Sequence, residues 1–127
     1  MPSVLILDYS TDSNSAAEIR KWLPESCVVS ERFVDTEASL DGLDLGQFSH
    51  IVHSGSALSI VEQAPFTAAA HEVIRRAAEM GIHQFGICYG HQLLCQAIVG
   101  PHAVRRTPEG LEAGGARWNL TNPGRNC

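Results

Sequence analysis

Short apolar runs along the chain alternate with stretches in which apolar residues recur every three or four positions. Val4-Leu5-Ile6-Leu7 is a continuous run closed by Asp8, the pattern of a strand buried on both faces. Loop chemistry follows over residues 9–14. Ser15-Ala16-Ala17-Glu18 matches a capping box, and Ile19, Trp22 and Leu23 give the helix it opens an apolar face that Pro24 ends. On this pattern Trp22 packs under the helix. A second strand is expected around Cys27–Ser30, then loop with one short helix over 35–48. His50-Ile51-Val52-His53 reads as a third strand, with Ser54-Gly55-Ser56 as its turn. Pro65 can open the next helix. Within it Ala69, Ala70, Val73, Ile74, Ala77 and Met80 form one stripe, with Gly81 as its natural stop. Ile82–Ile87 is a fourth strand. Gly90–Val99 is a helix with Leu93, Leu94, Ala97 and Ile98 inward. Beyond Gly100 the chain is rich in Gly and Pro, with one short strand expected near Arg117–Leu120. Arg105-Arg106 is expected in a solvated loop.

Strand and helix alternating at these lengths predict right-handed βαβ units and a parallel sheet covered on both faces. Ligands in such sheets sit beyond the carboxyl ends of the strands. Two turns therefore matter: Ser54-Gly55-Ser56 after strand three, and Cys88-Tyr89-Gly90 after strand four.

Composition narrows the class. The 127 residues suit one domain. With 44% hydrophobic and 18% charged residues the chain is no disordered acidic segment. Nine basic against 14 acidic residues, a net charge of −5, argue against a nucleic-acid surface. No apolar run approaches the ~20 residues of a membrane span. The start lacks a basic residue and its apolar run stops at Asp8, so no signal peptide is expected. A cytoplasmic setting with reduced thiols follows. Cys27, Cys88, Cys95 and Cys127 do not form a disulfide framework on this reading; Cys88 and Cys95 on one helix would stand about 10 Å apart.

Gly86-Ile87-Cys88-Tyr89-Gly90-His91-Gln92 carries the strongest chemistry. Gly-x-Cys-x-Gly at a strand-to-helix junction is the thiol form of a nucleophile elbow. The glycines permit a tight turn, the helix N-terminus favours thiolate at Cys88, and the N–H of Tyr89 is free to donate to an oxyanion. The structural alternative is a small buried cysteine at an ordinary glycine-flanked turn.

Phe85-Gly86-Ile87-Cys88-Tyr89-Gly90-His91-Gln92-Leu93-Leu94 resembles the nucleophile signature of class I glutamine amidotransferase domains. Ile51-Val52-His53-Ser54-Gly55-Ser56 stands where that family carries its oxyanion turn, although Ser56 replaces the family's second glycine. Pro108–Gly114 and Leu120-Thr121 resemble, more weakly, the segment leading to the next strand. The resemblance implies a flavodoxin-like, three-layer α/β fold, with residues 1–127 as a single partial domain lacking its C-terminal side. It implies that Cys88 attacks the side-chain amide of glutamine, that the N–H groups of Gly55 and Tyr89 form the oxyanion hole, and that Gln92 contacts the substrate. It also implies an ammonia-accepting synthetase domain or subunit, with no cofactor and no metal. The family's base is a His-x-Glu pair, and none of the six histidines has a glutamate two residues later. The chain by itself is therefore expected to be inactive, with an apolar face uncovered. A γ-glutamyl hydrolase, or a non-catalytic binding or regulatory module of the same fold, are the alternatives.

Other clusters are read structurally. Cys88, His91 and Cys95 share a helical face that could suit zinc, but lack the paired-ligand spacing of zinc sites. His50 and His53 read as the ends of a buried strand, with His53 the first alternative base because it adjoins the oxyanion turn. His71-Glu72 lacks the second histidine of a zinc-protease helix.

Overall fold

The computed structural model describes residues 2–11, 15–58 and 64–100, with the backbone of residues 105–107 and 110–112. Strands β1 (Ser3–Asp8), β2 (Val28–Phe33), β3 (His50–His53) and β4 (His83–Gly86) form one sheet in the order β2-β1-β3-β4. All three pairings are parallel. Helix α1 (Ser15–Arg20) covers one face; α2 (Thr67–Glu79) and α3 (Tyr89–Ile98) cover the other. This is the parallel sheet of βαβ units that the alternation of patterns predicts, in the flavodoxin-like α/β arrangement that the resemblance implies.

Alternation along the strands divides the core in two. Leu5, Leu7 and Ile51 meet Ala70, Val73, Ile74, Ala77, Leu93, Leu94 and Ala97 of α2 and α3. Val4, Ile6 and Val52 meet Ala16 and Ile19 of α1. Ala70, Val73, Ile74 and Ala77 of the α2 stripe are buried as their spacing requires, while Ala69 is half-buried and Met80 is exposed just past the helix end. Gly81 follows at φ 76°, a conformation suited to a residue without Cβ.

Several local expectations are corrected. Helix α1 stops at Arg20, so Trp22 lies beyond it and is 86% exposed rather than packed beneath it. The capping box does not close the helix start. Glu18 accepts from Lys21 at 3.0 Å, and the N–H of Ala16 donates instead to Oδ2 of the buried Asp8 at 2.9 Å. A carboxylate at the end of β1 thus takes the capping role across the loop. Strand β2 runs to Phe33, beyond the expected Ser30. The 35–48 segment holds two short 3-10 helices, Glu37–Leu40 and Leu45–Gln47, where one helix is expected. Arg105-Arg106 lies not in a loop but in β5 (Arg105–Thr107), antiparallel to β6 (Gly110–Glu112). The strand expected near Arg117–Leu120, and Cys127, lie outside the described residues.

Phe85 of β4 is 62% exposed although the sheet is expected to be covered on both faces. An apolar groove of about 530 Å³ opens there, lined by Val4, Leu23, Cys27, Val52 and Phe85. No helix among the described residues is long and apolar enough to cross a membrane.

Candidate active site

The turn from β4 into α3 is built by two close approaches. A Cβ on Gly86 would lie 2.5 Å from Cα of His91. One on Gly90 would lie 2.6 Å from the carbonyl carbon of His53 and 2.8 Å from its Cβ. Only glycine lets the first turn of α3 press this closely on the strand ends. Between them Cys88 is the one non-glycine residue among the described residues with positive φ, at φ 48° and ψ −107°. This is the strained strand-to-helix turn that lifts a nucleophile clear of its sheet. The Cys88 side chain is correspondingly exposed at the carboxyl edge of the sheet. Tyr89 opens α3, where a backbone N–H has no acceptor within the helix. Gln92 stands one turn on, half-buried, its N–H donating to the Cys88 carbonyl at 3.0 Å.

The Ser54-Gly55 turn is brought beside this elbow. A Cβ built on Gly55 would sit 3.8 Å from Cβ of Cys88 and 3.6 Å from the Ile87 carbonyl oxygen. These are ordinary contacts, so the structure gives a methyl group room at Gly55. Buried Ser54 fixes the turn to the end of β1. Its N–H donates to the Leu7 carbonyl at 3.0 Å, and its Oγ accepts the N–H of Tyr9 at 2.8 Å.

His53 is sealed within the fold. It is fully buried, with Nδ1 2.7 Å from the Tyr9 hydroxyl and Nε2 2.7 Å from Oε1 of Gln84. Gln84 Nε2 donates to the Ile74 carbonyl at 3.0 Å, which turns Oε1 toward the ring. Nε2 of His53 therefore carries the hydrogen, and Nδ1 accepts from Tyr9. Burial lowers the His53 pKa to about 4, against a smaller opposing effect of Gln84. Burial likewise raises the Tyr9 phenol well above its ordinary value, with Tyr89 adding to the shift. With no free ring nitrogen, His53 is a core histidine rather than a base facing Cys88. Sequence reasoning passed over Tyr9 and Gln84. Gln84 is a polar residue within a strand expected to be apolar, which was the available signal; Tyr9 lies just past the end of β1 in a stretch expected as loop.

His50 and His83 stack at 5.3 Å toward the amino ends of their strands, opposite the elbow. Nε2 of His71 donates to Oε1 of Gln96 at 3.2 Å, and burial lowers the His71 pKa. His91 Nε2 lies 3.8 Å from Sγ of Cys95. Cys95 is buried. No group of three His, Cys, Asp or Glu side chains among the described residues could hold a metal ion.

The model of the glutamine amidotransferase class-I family matches residues 12–121, which include both turns. The chain belongs to the class-I glutamine amidotransferase family. Among solved structures it is similar to a glutamine amido transferase from Methylobacillus flagellatus, at a TM-score of 0.56 and 21% identity. That match takes in 85% of this chain and 42% of the other, so this amidotransferase-family chain spans less than half the length of that one. At this identity the likeness speaks for the fold. No curated protein matches significantly.

Proposed function

We propose that this domain is the cysteine-bearing part of a glutaminase site. The observation that carries the reading is Cys88, held at φ 48° at the sheet edge with Gly55 directly across from it. In the proposed reaction Sγ of Cys88 attacks the side-chain amide carbon of glutamine. The carbonyl oxygen takes the negative charge, and the N–H groups of Gly55 and Tyr89 donate to it. The carbon–nitrogen bond then breaks, the proton given up by the Cys88 thiol is delivered to the nitrogen so that ammonia leaves, and a γ-glutamyl thioester remains on Cys88. Water releases it as glutamate. Gln92, one helical turn from the thiol, holds the substrate.

The acyl-forming half of this chemistry uses groups within residues 1–127, which we read as a single domain. Proton transfer is a different matter. His53 is sealed, and no histidine forms a His-x-Glu pair. General acid–base catalysis typically supplies ~10²–10⁴-fold, so we expect negligible turnover from the 127-residue chain alone. A synthetase domain or subunit is the proposed recipient of ammonia.

The test is covalent. A chloromethyl ketone analogue of glutamine should modify Cys88 stoichiometrically, located by peptide mass mapping, and free glutamine should slow the reaction. Modification that glutamine leaves unchanged would refute the reading. Steady glutamate release by the purified chain, abolished by Cys88→Ala, would overturn the expectation of inactivity.

A further inference from the structure

We propose that Tyr9 and His53 are positioning residues that fix the oxyanion turn against the nucleophile elbow, acting through a buried Tyr9–His53–Gln84 network beneath both. The proposal rests on the glutaminase reading of Cys88 and Gly55.

The network sits at the one place where the two turns share support. On the oxyanion side, Tyr9 holds two consecutive residues. Its hydroxyl donates to Nδ1 of His53 at 2.7 Å, and its backbone N–H donates to Oγ of Ser54 at 2.8 Å. Gly55 is the next residue. On the elbow side, the His53 carbonyl accepts the N–H of Ile87 at 3.0 Å, and Gly90 packs against the backbone and Cβ of His53. The Tyr9 ring stacks on His53 at 5.8 Å and tilts against Tyr89 at 6.0 Å, so it touches the residue after the nucleophile as well. Gln84 completes the chain by holding Nε2 of His53 and tying it to the Ile74 carbonyl of α2. Every polar atom of this imidazole is used, and each use fixes its orientation.

An apolar side chain at position 53 could fill the volume but could not transmit the position of Tyr9 to the turn. The oxyanion donor at Gly55 depends on that position, because it must meet an oxygen whose place Cys88 defines. The thiol itself does not depend on it. Cys88 stays exposed, and its backbone is set by Gly86 and Gly90.

This separation gives the experiment. The full chain and the variants Tyr9→Phe and His53→Leu are reacted with iodoacetamide, which needs only an accessible thiol. They are also reacted with the chloromethyl ketone analogue of glutamine, whose ketone oxygen uses the oxyanion donors. Circular dichroism and thermal melting establish that each variant is folded. The expected result is a loss of about tenfold or more in the chloroketone rate, with the iodoacetamide rate at Cys88 retained, since a misplacement near 1 Å can cost ~10²-fold. His53→Gln, which keeps one acceptor and one donor, should recover much of the loss. Folded variants that keep the wild-type ratio of the two rates would overturn the proposal, and so would an equal fall in both. Protection of the wild type by glutamine distinguishes the levels. Without it the functional reading fails and the proposal with it; with it and unchanged variants, the proposal alone fails.

Discussion

Replacing Cys88 by glycine should make the protein more stable, and more stable than replacing it by alanine. At φ 48° and ψ −107° a residue with a Cβ is strained, and such conformations cost about 1–3 kcal/mol. Alanine retains that strain; glycine removes it. Glycine in turn loses about 0.4–1 kcal/mol through the greater freedom of its unfolded chain. Because the Cys88 side chain is exposed, truncating it forfeits little burial. The difference should therefore be about 1 kcal/mol in favour of Cys88→Gly. In urea, with a slope of about 2 kcal/mol per molar, the midpoint should rise by roughly 0.5 M. The melting temperature should rise by about 4 °C. The comparison between the two variants is the decisive one, since both lack the thiol and only one retains a Cβ. At an unstrained position the order is reversed, alanine being the more stable. An alanine variant as stable as the glycine variant, or more so, would refute the argument that the fold stores strain at Cys88.

The glycines on either side should respond oppositely to the one across from them. Gly90→Ala should destabilise by about 3 kcal/mol, because the clash falls on His53 backbone that cannot move aside. Gly55→Ala should cost less than about 1 kcal/mol, its new methyl making only ordinary contacts; chemical denaturation of both variants checks this. Stability should also fall as the solution is acidified from pH 6.5 towards about 4, because the unfolded chain binds a proton that folded His53 refuses. The loss from this residue approaches about 3 kcal/mol at the lower end and vanishes above pH 6.5; His71, also shifted downward by burial, acts in the same direction. Its signature is a shallower pH slope in His53→Leu than in the wild type, and equal slopes would remove the argument. Limiting iodoacetamide at neutral pH should label exposed Cys88 before half-buried Cys27, with preferential labelling of Cys27 as the contrary result.

Much of this fold is legible in residue spacing because its elements bury what their periods dictate. Ala70, Val73, Ile74 and Ala77 are core residues of α2, and the run from Val4 to Leu7 is buried on both faces of β1. The elbow is legible for a different reason: it shows as two glycines at fixed offsets from a cysteine, although only Gly86 is required by contacts within a few residues, and Gly90 by the approach of His53 from another strand. What spacing does not carry is non-local. The carboxylate of Asp8 caps α1 from across a loop, so a local capping box could not reveal it. The roles of Tyr9 and Gln84 require knowing that β1, β3 and β4 lie side by side, with Leu7 opposite His53 and Ile51 opposite Gln84.

That register is also what sets the spacing of the candidate site. Gly55 and Cys88 each follow a strand end, and the pairing of His53 with Gly86 places those ends together. Side chains alternate between faces, so a slip of one residue in β3 would carry Ile51 and His53 to the α1 side of the sheet and Val52 to the side of α2 and α3. It would break the hydrogen bonds of His53 to Tyr9 and Gln84, and it would set a different residue beneath Gly90. The buried faces therefore penalise any register that separates Cys88 from Gly55. An apolar residue at position 53 would oppose the same slip through its volume alone. A histidine whose two ring nitrogens are both engaged opposes it by direction as well, because the displaced register leaves the Tyr9 hydroxyl and the Gln84 amide buried without partners. The precision needed between two loops is in this way delegated to the interior, where packing and polar satisfaction enforce it together.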